Sequence, residues 1–137
     1  MEITHPDQEL FDGAGATKRD LVDYLAAVAD RILPELAGRP LSVIRVRPGQ
    51  EPFMQKNLPK YAPGWIRTTK VWAERSRREV TYALCDDERT LLWFANQRAV
   101  EYHPTLTRVD QPDPPITMVM DLDPPEGAGF AVVTAAA

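Results

Sequence analysis

The chain has 137 residues, 44% of them hydrophobic and 26% charged, the proportions of one soluble globular domain of ordinary size. A lone Cys85 excludes an internal disulfide and suits a reducing cytosol; the N-terminus does not read as a secretory leader, and no apolar run approaches the ~18 residues of a membrane helix. The net charge of −4 weakly disfavours nucleic acid, but residues 1–30 carry −5, residues 31–79 carry +7 and residues 80–137 carry −6, so a basic middle lies between acidic flanks.

Thr17 predicts a helix N-cap, with Asp20 where a capping box places its acid or amide. Leu21, Leu25, Val28, Ala29, Ile32 and Leu36 then recur at helical spacing; Gly38 closes the helix, and Pro34 implies a kink or an early end. Leu41–Val46 reads as a strand. Residues 47–64 hold Pro48, Gly49, Pro52, Pro59, Pro63 and Gly64 and read mostly as loop. Strands Trp65–Trp72 and Glu79–Cys85 follow, joined by the charged turn Glu74-Arg75-Ser76-Arg77-Arg78. Asp87 caps a second helix, Glu88 to about Glu101, which buries Leu91, Leu92, Ala95 and Ala99 and is ended by Pro104. Residues 110–115, Asp-Gln-Pro-Asp-Pro-Pro, form a stiff linker.

The apolar run from Ile116 reads as a strand that leads into Asp121-Leu122-Asp123 and stops at Pro124-Pro125-Glu126-Gly127. On a strand, Asp121 and Asp123 share one face while Leu122 takes the other. Two such carboxylates repel unless a cation lies between them, which suits Mg²⁺ or Mn²⁺. The plainer reading is a solvated strand end. The tail Phe130–Ala137 is almost wholly apolar and calls for something to pack against, which suggests a truncated or split reading frame.

Several islands together resemble the polymerase domain of bacterial DNA ligase D, of the archaeo-eukaryotic primase superfamily. They are Thr4-His5-Pro6-Asp7, Thr17-Lys18-Arg19-Asp20-Leu21, Leu36-Ala37-Gly38-Arg39-Pro40-Leu41, Phe53-Met54-Gln55-Lys56-Asn57, Thr90-Leu91-Leu92-Trp93, Glu101-Tyr102-His103 and Met120-Asp121-Leu122-Asp123-Pro124-Pro125-Glu126-Gly127. Any one is weak, but the set occurs in the family's order. The resemblance implies an α+β fold, a central mostly antiparallel or mixed sheet with two main helices, corresponding to the N-terminal half of a primase-type domain. Residues 1–137 would then be a single partial domain.

The resemblance also implies roles. Asp121 and Asp123 would be the first two catalytic carboxylates of a two-metal centre holding Mg²⁺ or Mn²⁺. His103, and Arg45 with it, would lie near the incoming nucleotide; otherwise His103 is a helix-end histidine and Arg45 a surface residue. Lys18, with His5 and Gln8, corresponds to a pocket for the 5′-phosphate of a downstream DNA strand, the other reading of Lys18 being an ordinary surface lysine. Phe53 and Met54 correspond to a pair of aromatics near the template bases, and core packing is the competing role of Phe53. Lys56, Arg67 and Lys70 are candidates for DNA phosphates or are simply solvated. Two positions depart from the family: Gln8 stands where a lysine is usual, and Met54 where a second aromatic is. The family's domain also has a further half that carries a serine–histidine nucleotide-binding strand and a third metal-binding aspartate.

The implied function is nucleotide addition at DNA ends or gaps in non-homologous end joining. Its partners would be gapped DNA, nucleoside triphosphates and the Ku end-binding protein or a ligase, in a bacterial cytoplasm beside the nucleoid and away from membranes. The alternatives are a non-catalytic remnant that holds DNA ends and an inactive fragment of a split polymerase gene.

Overall fold

The computed structural model describes residues 2–74 and 76–136, so Arg75 of the anticipated turn and Ala137 of the apolar tail lie outside the described residues. Helix α1 (Lys18–Ala27) begins at the expected capping box: Thr17 Oγ1 accepts from the Asp20 amide at 3.3 Å, and Asp20 Oδ2 accepts from the Thr17 amide at 2.8 Å. The apolar stripe continues into α2 (Ala29–Leu36), but the two helices part at Val28 (φ −104°, ψ 7°). Pro34 is accommodated inside α2, and the chain leaves the helix at Gly38 with φ +69°. That left-handed conformation is one glycine adopts without strain.

Among the described residues five strands form one antiparallel sheet: β1 (Pro40–Arg47), β2 (Gln50–Gln55), β3 (Thr68–Ala73), β4 (Arg78–Leu84) and β5 (Ala99–Pro104). Strand β1 is the hub. Strand β5 runs along it from Leu41↔Pro104 to Arg45↔Ala99; β4 pairs at Pro40↔Leu84 and Leu41↔Ala83, and β2 from Val43↔Gln55 to Arg47↔Gln50. A strand has two edges, so β4 and β2 share one edge of β1 in succession while β5 takes the other. Among the described residues strand β3 pairs with β4 alone.

The sheet and its helices agree with the expected α+β class, and three local expectations are corrected. Residues 47–64 are not mostly loop at their start, because 50–55 form β2. Pro52 is tolerated there because β2 pairs only with β1 and the pairing is irregular between Arg45 and Arg47, so its missing N–H sacrifices little. The second helix, α3 (Glu88–Asn96), is shorter than expected: Arg98 turns the chain at φ +62°, and Ala99–Pro104 is a strand that Pro104 closes. His103 is therefore a strand residue, not a helix-end one. Residues 116–123 form no strand. A strand's N–H and C=O groups need a partner, and among the described residues no strand runs beside this segment; the Ile116 amide donates to the Leu106 carbonyl at 2.9 Å, and beyond it the chain lies exposed and irregular up to Pro124. The same-face argument for Asp121 and Asp123 falls with it.

The core is the layer between the sheet and α1–α3. Val22, Leu25, Ala29 and Leu36 from the first two helices meet Leu91, Phe94 and Ala95 of α3 over Leu41, Val43, Ala83 and Cys85. The tail forms a short helix, α4 (Phe130–Ala136), with Phe130 largely exposed. Among the described residues no helix is long and apolar enough to cross a membrane.

Candidate phosphate and nucleic-acid site

The helical side of the sheet carries charge at one end. Along β1 the buried positions Leu41, Val43 and Arg45 alternate, and then Val46 is buried as well. The ladder is irregular at this point on both neighbours, between Ile44 and Arg45 against β5 and between Arg45 and Arg47 against β2. Such an irregularity re-aims side chains. It leaves Arg45 only 4% exposed at the end of an apolar row.

Arg45 is held entirely by neutral groups. Its Nε donates to the Gln97 carbonyl at 2.8 Å, Nη1 to Gln55 Oε1 at 2.6 Å and to the Tyr61 hydroxyl at 3.1 Å, and Nη2 to Gln97 Oε1 at 3.2 Å. Lys18, the first residue of α1, is 2% exposed. Its Nζ donates to the Thr4 carbonyl and, at 3.1 Å, to Thr4 Oγ1. Thr4 is fixed in turn by Asn96, whose Oδ1 accepts from the Thr4 amide and hydroxyl, both at 3.1 Å. Arg98 donates from Nε to the Val46 carbonyl at 3.0 Å and from Nη1 to Gln8 Oε1 at 2.8 Å. Gln8 is tied to α1 through its carbonyl, which accepts from the Lys18 amide at 2.9 Å.

Lys18, Arg45, Arg47 and Arg98 thus form one cationic neighbourhood, and among the described residues none of the four is ion-paired. Burial, then Arg98, then Arg45 hold the Lys18 ammonium below the usual lysine range. Burial, then Arg45 and Arg47, lower Arg98 in the same direction. Uncompensated charge at buried positions is costly, and a bound anion relieves it.

Phe53 extends this neighbourhood outward. It pairs with Arg45 across β1–β2, and the Arg45 and Arg47 guanidinium carbons stand 5.5 and 5.1 Å from its ring centroid. Met54 projects from the opposite face of the strand, so the two residues do not form one stacking platform. At the free edge of β2, a hollow of about 320 Å³ is bordered by Phe53, Met54, Gln55, Lys56, Asn57 and Arg78, so both residues reach its rim.

The other expected site residues are placed less favourably. Arg67 is bound to Asp86 at 2.5 Å and Lys70 to Glu79 at 2.8 Å, so both are neutralised locally. His103 Nε2 lies 3.0 Å from Glu101 Oε2 on β5, an acid beside a residue expected near phosphates. His5 is exposed and turns the chain at φ +49°. Asp121 and Asp123 are exposed beside a hollow of about 200 Å³ that Pro125 and Val132 also line. Carboxylate oxygens are the donors that Mg²⁺ or Mn²⁺ takes, so the pair fits such an ion in kind. No group of three potential ligands gathers among the described residues, so the pair supplies only part of a coordination shell.

Arg98, Gln97 and Tyr61 are absent from the sequence-derived set. Arg98 is concealed there by the over-extended helix. The signal that reveals it is the alternation of Ala99-Val100-Glu101-Tyr102-His103, which fits a strand better than the helical stripe that ends at Ala95.

The family described as LigD, primase-polymerase domain, matches residues 17–137. The chain is 34% identical to the bifunctional non-homologous end joining protein LigD of Bacillus subtilis, over 100% of this chain and 22% of that protein. It is 36% identical to the multifunctional non-homologous end joining DNA repair protein LigD of Mycobacterium tuberculosis, over 96% of this chain and 18% of that one. The chain therefore spans about a fifth of the length of these relatives. In three dimensions it is similar to the polymerase domain from Mycobacterium tuberculosis ligase D, solved in complex with DNA. There the TM-score is 0.73 and the identity 37%, over 79% of this chain and 38% of the solved one.

Proposed function

The chain belongs to the LigD primase-polymerase domain family, and on that footing we propose that it acts in non-homologous end joining by adding nucleotides at DNA ends or gaps. The observation that carries this reading is the set of four cations with no ion-pair partner among the described residues, two of them almost fully buried and two, Arg45 and Arg47, beside the Phe53 ring. Such a set suits phosphates alongside a stacked base.

In this reading Lys18 and Gln8 face the 5′-phosphate end of a downstream strand, with His5 at its margin. Arg47 and Lys56 follow the backbone, and Phe53 takes a template base on one face. Asp121 and Asp123 would hold Mg²⁺ or Mn²⁺, which when bound lowers the pKa of a 3′-hydroxyl and offsets triphosphate charge. His103 contributes near the triphosphate once drawn away from Glu101. Ku or a ligase would deliver the DNA end. The test is nucleotide addition to a gapped duplex with Mn²⁺. Asp121→Ala should reduce addition to the background level, and equal rates for the two proteins would overturn the catalytic reading.

A second reading is favoured by the exposed, two-membered acid pair: a module that holds DNA ends without performing chemistry. It expects salt-sensitive binding to the same duplex with no addition by the wild-type chain.

A further inference from the structure

Strand β3 lies at an edge of the sheet, and its hydrogen bonds tell which of its backbone groups are unused. The Leu84 amide donates to the Arg67 carbonyl at 2.8 Å, so Arg67, and with it Thr69, Val71 and Ala73, turns its backbone groups toward β4. Thr81 gives the same answer from the other strand. It stands opposite Lys70, yet its amide donates to Asn57 Oδ1 at 2.9 Å and its carbonyl accepts from the Leu58 amide at 2.7 Å, both away from β3. The N–H and C=O groups of Thr68, Lys70 and Trp72 therefore point off the sheet, and among the described residues no strand meets them.

Edge strands usually carry some defence against further pairing. Strand β2 has Pro52 and an irregular register, and β5 ends in Pro104. Strand β3 has neither device: its ladder runs without a shift from Thr68↔Ala83 to Ala73↔Arg78, and it holds no proline. Its one charge, Lys70, is taken up by Glu79 at 2.8 Å. It also shows an apolar side chain on each face, Val71 at 42% and Trp72 at 56% exposure.

The register selects the occupant. A second copy running antiparallel can meet the outward-pointing residues in two well-overlapped ways. One sets Lys70 against Lys70, and like charges directly opposite are unfavourable. The other sets Lys70 against the second copy's Trp72, twice over, which brings an ammonium to an indole. It also places the two Val71 residues across the twofold axis at a pair without mutual hydrogen bonds, where side chains come closest. In this register no like charges oppose each other, and both exposed apolar residues are covered.

We propose that the free edge of β3 is a homodimer interface, to which a second copy of this chain adds its own β3, antiparallel, with Val71 at the twofold axis. The two sheets then become one. An edge six residues long buries little area, so the dimer forms at high protein concentration.

Sedimentation velocity from about 1 to about 500 μM should show a reversible passage from monomer to dimer. Lys70→Pro removes an N–H that points off the sheet and leaves the β4 ladder intact. Circular dichroism should therefore be unchanged, while dimerisation weakens about tenfold or more. Cysteine pairing reads the register separately, whether or not the proline variant folds. With oxidised glutathione as the electron acceptor, Val71→Cys should give a disulfide-linked dimer and Lys70→Cys should not. Cys85 is buried and stays out of the reaction. A monomer at every concentration, a dimer that folded Lys70→Pro leaves untouched, or Val71→Cys cross-linking no better than Lys70→Cys would each overturn the interface.

Discussion

Cys85 shows how far burial alone can set a side chain's chemistry. It has no exposed surface, and burial, then Asp87, then Asp86, push its thiol up to about 12. The nearby Tyr102 hydroxyl is raised for the same first reason and has no hydrogen-bond partner among the described residues. A thiol whose folded pKa lies above its unfolded value near 9 contributes stability that is fully present below that value and is lost as pH rises toward 12. Lys18, lowered on folding, acts with the opposite sign, so the comparison needs a variant. Between pH of about 8 and about 10, urea midpoints should fall further for wild type than for Cys85→Ala. At this scale the sequence is informative about residue types and poor on surroundings. Lys18 stands out by its place in a motif, while its burial against Thr4 depends on a contact fourteen positions away. Arg98 does not stand out, because nothing in the letters Asn-Gln-Arg-Ala marks a left-handed turn.

Element boundaries are most legible where a cap fixes them. Thr17–Asp20 and Asp87 start their helices as expected, because each cap is a local interaction among neighbours. The start of β2 and the identity of β5 are not legible, since strand pairing depends on distant partners. The segment 116–123 makes the same point from the other side, for it has an apolar run but no strand beside it. Gly38 is a further local signal with a measurable consequence. Its φ is +69°, and a Cβ built there would lie 2.7 Å from the Arg108 Nη2. Gly38→Ala should destabilise the fold by about 1–2 kcal/mol, through backbone strain and displacement of that guanidinium, as measured by urea denaturation.

For the molecule as a whole, the net charge of −4 conceals a basic middle of +7, and the fold gathers only part of that middle beside Lys18 and Arg98. Arg45 and Arg47 join the cluster, while Arg67 and Lys70 are taken up by Asp86 and Glu79. Charge counting along the chain therefore overstates the cations available to DNA. With Lys18, Arg47 and Arg98 as the principal contacts, the logarithm of affinity for a gapped duplex should fall against the logarithm of salt with a slope of about −3. Arg47→Ala should make that slope shallower by about one, and an unchanged slope would remove Arg47 from the interface.

The central place of β1 has a consequence for the order of events. Its residues are paired on both sides, and it carries Arg45, so that buried guanidinium belongs to the part of the fold that opens last. Asp121 and Asp123 lie on a stretch with no ladder at all, which belongs to the part that opens first. Rigidity is thus concentrated around Arg45, and the two acids lie outside it.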